Sequence, residues 1–155
     1  MKTLTTLYEE IEKENIEVQT VKFKKKKSAI VSVNGNTRIV VDYSKIENTK
    51  EEKIIIAEEK AHYDTGAFYH LNSPYELMDR MEYKAKKRVY NELIPYNTLK
   101  ELSTKLTIDE LAEYFEVPIK DIIMASFLYT NIENFATTWY NSLTNHPTLL
   151  KRMIY

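Results

Sequence analysis

Three residues in the stretch Ile54–Gly66, IIIAEEKAHYDTG, have the types and spacing for hydrolytic chemistry. Glu58 and His62 are four apart, so on a helix their side chains stack on one face and can converge on one ion. Glu59 is turned about 100° further round, able to address a metal-bound water without ligating the metal. Metallohydrolase helices of this kind carry His-Glu-x-x-His. Here the first imidazole is replaced by a carboxylate. A metal held this way activates water, and Glu59 is placed as general base. A third ligand is needed, and Glu82 on the following helix is a stronger candidate than His70 or His146. Taken alone, Glu-Glu-x-x-His also occurs on ordinary charged helices.

Such a helix must be positioned by other elements, and the chain is long enough to supply them. Its 155 residues, 43% of them hydrophobic, fit one domain with a real core, with room for a small appendage. The 22 basic and 23 acidic residues nearly cancel, which gives no general reason to expect nucleic acid or membrane as the main partner. With no cysteine there can be no disulfide, thiolate site or cysteine nucleophile, so a metal would need His, Asp or Glu. No signal-peptide core or stretch of ~18 apolar residues appears, and the expected location is the cytoplasm.

Leu4, Leu7, Tyr8 and Ile11 predict an amphipathic helix over 3–15. The period then shortens. Residues 18–23 alternate, Ala29–Val33 reads as a strand, Asn34-Gly35-Asn36 as a tight hairpin turn, and Arg38–Tyr43 as its partner. A small antiparallel sheet is expected. Lys24–Lys27 reads as a solvated loop or protected sheet edge rather than a phosphate contact. Thr49-Lys-Glu-Glu52 has the form of a capping box opening the Glu58 helix, and Gly66 closes the region. Ser73-Pro74 opens the next helix, with Leu77, Met81, Ala85 and Val89 inward. The rest reads as helical: Leu99–Leu106, a helix capped by Thr107 and Glu110, Ile119–Tyr129 after Pro118, and Asn131–Leu143. Residues 107–129 have a helix-turn-helix look, but PIKDIIMASFLY lacks base-reading side chains and reads as a packing module, with Ile122, Ile123 and Phe127 buried.

These stretches together resemble the ImmA/IrrE family of bacterial and phage metallopeptidases. AEEKAHYDTG is similar to the family's AEELGHYYTG apart from Lys60, Ala61 and Asp64, and phage-type members often carry Glu at the position of Glu58. ELMDRMEYKAKKRVYNELIP is similar to its second helix, and LTIDELAEYFEVPIKDIIMASFLY to its helical tail, so the resemblance covers residues 10–130. It implies an α+β fold: a small antiparallel sheet on a metal-bearing helix, a core over residues 1–97, and a helical extension over 98–155 packed on it. It also implies a zinc-dependent endopeptidase with Glu58, His62 and Glu82 as ligands and Glu59 as general base. Manganese or another divalent metal could replace zinc at so anionic a site. The implied substrate is a DNA-binding repressor of a phage or mobile element in a bacterial or phage-infected cell. His70 and Tyr63 are possible substrate or oxyanion contacts; Asp64 and Tyr69 are further candidates. The alternative is a non-catalytic protein that binds such a repressor through the same cleft.

Overall fold

Thr3 starts the first helix by a reciprocal cap: its Oγ1 accepts the N–H of Thr6, and the Thr6 hydroxyl accepts the N–H of Thr3. Helix α1 runs Leu4–Lys13 and buries Leu7 and Ile11. The computed structural model describes residues 1–68 and 73–129. Strands β1 (Glu17–Thr20), β2 (Ser28–Val33) and β3 (Asn36–Val41) follow, then helices α2 (Thr49–Thr65) and α3 (Tyr75–Leu93). The chain divides into two compact units, Met1–Glu92 and Leu93–Tyr155. Among the described residues no helix is long and apolar enough to cross a membrane.

The sheet is mixed, with β3 in the centre, which corrects the antiparallel expectation. β2 and β3 form the expected hairpin, with Asn34 and Gly35 at φ 52° and 80°, the pair of positive values a two-residue primed turn needs. β1, however, passes over β2 in order and pairs parallel to β3, Glu17 beside Arg38 and Thr20 beside Val41. Residues 21–27 therefore cross the end of β3. Asp42 and Lys45 hold that crossing. The Asp42 carboxylate accepts the N–H of Phe23 at 2.9 Å and the Ser44 hydroxyl at 2.6 Å. The Asp42 N–H donates to the Lys27 carbonyl at 2.7 Å, and the Lys45 ammonium donates to the carbonyls of Phe23 and Lys26. The lysine run thus lies across the end of the central strand, not along an edge.

α2 packs on β2 and β3 and against α1. Its cap is Asn48, whose side chain accepts the N–H of Glu51; the expected Thr49 lies one residue inside. Both residue types cap well, and the one whose oxygen reaches a free N–H sets the start. Gly66 at φ 61° ends the helix in the left-handed conformation, with the Ala67 N–H donating to the His62 carbonyl. In α3, Ala85 and Val89 are buried as expected, whereas Leu77 is exposed.

The second unit carries α4 (Tyr96–Ser103), α5 (Ile108–Phe115) and α6 (Ile119–Tyr129). Thr107 and Glu110 form the capping box read from the sequence. Leu99, Leu111, Phe115 and Val117 are buried, and the Tyr129 hydroxyl donates to the Ile94 carbonyl at 2.9 Å. Ile122 and Ile123 are buried, but Phe127 is 49% exposed. It shares a face with Lys120 and Met124, three and four residues apart, on the side of α6 away from Ile122 and Tyr129. That exposed face carries one cation and no Arg, Asn or Gln. The Asn131–Leu143 helix lies outside the described residues.

Candidate functional site

α2 and α3 bring two short charge pairs face to face. Glu58 and His62 are one turn apart on α2, Glu82 and Lys86 one turn apart on α3, and the contacts run in opposite directions along the two helices. His62 Nε2 lies 3.6 Å from Glu82 Oε1, and Lys86 Nζ lies 3.2 Å from Glu58 Oε1. The structure brings Glu82 beside His62, while Glu58 meets Lys86. It was Lys86 that the reading missed, although an acid and a base four apart on α3, facing a matching pair on α2, are a visible signal.

The other nitrogen of the buried His62 ring, Nδ1, is 2.8 Å from the Ala67 carbonyl oxygen. A carbonyl only accepts, so Nδ1 carries a proton. Burial works against a charged ring, but the hydrogen bonds to Glu82 and Ala67 and the nearby carboxylates outweigh it and hold the His62 pKa above its ordinary value. With Nδ1 bonded to the carbonyl, Nε2 is the nitrogen that faces Glu82.

Glu59 has a partner of its own on the sheet. It is buried, and the Ser28 hydroxyl on β2 donates to its Oε1 at 2.5 Å. Burial raises its pKa; the Ser28 bond and the charge of His62 pull it down without cancelling the rise. Ser28 was not foreseen, since nothing in the sequence ties a strand-end serine to a helix 31 positions later.

Lys60 and Asp64, two of the three departures from the family pattern, form one structure. Buried Lys60 donates to both oxygens of Asp64 at 2.8 Å and to Glu14, just past the end of α1, at 3.0 Å. The third departure, Ala61, is buried. Tyr63 is partly exposed on α2. His70, Tyr69 and His146 lie outside the described residues.

Among the described residues, no group of three or more His, Cys, Asp or Glu is arranged to hold a metal ion. This corrects the expectation of a zinc-dependent endopeptidase, and with it the hydrolase activity and the zinc, manganese or other divalent cofactor. The physical reason is that Glu58 faces the Lys86 ammonium and Glu59 the Ser28 hydroxyl of β2, so these carboxylates do not join His62 and Glu82 as a ligand group. The same residues instead bind α2 to β2 and to α3. No family model, curated protein or solved structure matches this chain.

Proposed function

We propose that this chain is a non-catalytic interaction protein that binds a DNA-binding repressor. The observation that carries the reading is the engagement of the Glu-Glu-x-x-His residues by Lys86, Ser28, Glu82 and Ala67, a use in which they support a surface rather than a reaction. The similarity of residues 10–130 to ImmA/IrrE sequences supports the choice of partner, a phage or mobile-element repressor.

The surface has contact residues suited to a protein. Tyr63 and Tyr83, the next residues after His62 and Glu82, are 36% and 58% exposed, and Phe68 beyond the end of α2 is 44% exposed. Partly exposed aromatic side chains bury large areas at little entropic cost and are enriched at protein interfaces.

The test uses the tagged full chain to isolate its repressor, then follows that repressor on its operator by gel shift and by intact mass. Release from the operator with the repressor mass unchanged, lost in a Tyr63→Ala/Tyr83→Ala variant, is expected. Repressor fragments that disappear with Glu59→Gln would overturn the reading.

A further inference from the structure

We propose that Asn34 is a site of self-modification, at which this chain converts the asparagine to aspartate and isoaspartate with loss of ammonia. The attacking group in such a conversion is the backbone nitrogen of the following residue, and the target is the asparagine side-chain carbonyl carbon. The nitrogen must be uncrowded, outside a hydrogen-bond ladder and open to water. Gly35 meets each condition. It and Asn34 are exposed at the tip of the β2–β3 hairpin. A Cβ on Gly35 would have no heavy atom within 4 Å, so the space beside it is open. The ladder closes with Val33 opposite Asn36, which leaves the Gly35 N–H without a place in it. Other asparagines lack this combination. The second glycine, Gly66, follows Thr65, so Asn34 alone precedes a glycine. Asn15, Asn36 and Asn48 are followed by Ile16, Thr37 and Thr49, whose branched side chains crowd the nitrogen that would attack. The Asn48 side chain is also engaged, accepting the Glu51 N–H at 3.0 Å.

The reaction needs only the chain and water. The Gly35 nitrogen gives its proton to hydroxide and bonds to Cγ of Asn34. The Cγ–Nδ2 bond breaks, ammonia leaves, and a succinimide ring closes. Water then opens either ring C–N bond. One opening leaves a side-chain carboxylate, which is aspartate. The other leaves the carboxylate on Cα and reroutes the main chain through Cβ and Cγ, which is isoaspartate. The two products differ in their effect on the hairpin. Aspartate tolerates the positive φ of position 34, 52°, and keeps the turn. Isoaspartate adds a backbone carbon to a turn of two residues, so Val33 and Asn36 lose their register and the hairpin frays from its tip. Ser28 stands at the far end of β2, so its bond to Glu59 is spared.

The experiment holds the full chain at 37 °C, at pH 6 and pH 8, beside a synthetic peptide of residues 28–38. Tryptic peptides are followed by mass and by labelling with an isoaspartyl methyltransferase. Asn34 is expected to convert before every other asparagine, faster at pH 8, with isoaspartate as the larger product. Aged protein should melt below fresh protein by circular dichroism. Fresh Asn34→Asp, with the new charge but an unaltered backbone, should melt like fresh wild type. An Asn34 still intact in the full chain after the peptide has converted overturns the proposal. So does a second asparagine that converts as fast. A chain rich in isoaspartate that melts like fresh protein overturns the effect on the hairpin.

Discussion

Asp42 Oδ2 accepts the backbone N–H of Phe23 across 2.9 Å, and through this bond the end of the central strand holds the loop that crosses it. The bonds from Ser44 and Phe23, with Lys22 nearby, lower the Asp42 pKa to about 2. Because the folded value lies below the ordinary 3.8, the stabilisation is full above 3.8 and is lost as pH falls through about 2. Asp42→Asn keeps the shape but loses the charge. Its thermal midpoint at pH 7 should fall by several degrees, and the gap from wild type should close as the pH is lowered towards 2. A gap independent of pH would show that the carboxylate charge is not what holds the loop.

Ser28 and Glu59 offer a second test. Ser28→Ala leaves a buried carboxyl without its hydroxyl donor, which costs about 1–3 kcal/mol. Urea unfolding at pH 7 measures it. In the same assay Glu59→Gln should be no less stable than wild type, since it removes a buried charge while an amide oxygen still accepts from Ser28.

Zinc gives the third. With Glu58 paired to Lys86 and no group of three ligands assembled among the described residues, wild type, Glu58→Ala and His62→Ala should compete equally and weakly with a chromophoric chelator. Lys86→Ala should lower stability by no more than about 1 kcal/mol, because the Glu58 pair is partly solvated. Wild-type affinity well above both variants would reinstate the ligand set.

Gly66 supplies the fourth. At φ 61° it has open space where a Cβ would stand, so Gly66→Ala meets a backbone penalty and no clash. A loss of about 1 kcal/mol is expected. Gly66→Asn should recover part of it, since asparagine tolerates this conformation. Equal stability of the alanine variant would mean that the end of α2 rearranges.

What could be read from the sequence was local. Asn34-Gly35 specifies its turn within two residues, and Thr107 with Glu110 specifies a cap within four; both are found as read. The pairing of β1 was not legible, because its partner is chosen by a crossing fixed from Asp42 and Lys45, some twenty residues away. The same holds at the site. The one-turn spacing of Glu58 and His62 says that they share a face, and Glu82 lies beside His62 there. Whether a carboxylate meets a cation or an ion there depends on what the opposite helix offers, and Lys86 lies one turn from Glu82.

The strand order also sets which part of the sheet opens most readily. The β2–β3 hairpin closes over two residues, whereas joining β1 to β3 encloses the whole of β2, and loop-closure entropy grows with that length. β1 contributes four residues bonded on one side, so its escape breaks few bonds and frees a long segment. Amide hydrogen exchange should therefore report two layers of protection in this small sheet. The Ile39 and Val40 amides should divide between them, slow where they bond to β2 and faster where they bond to β1.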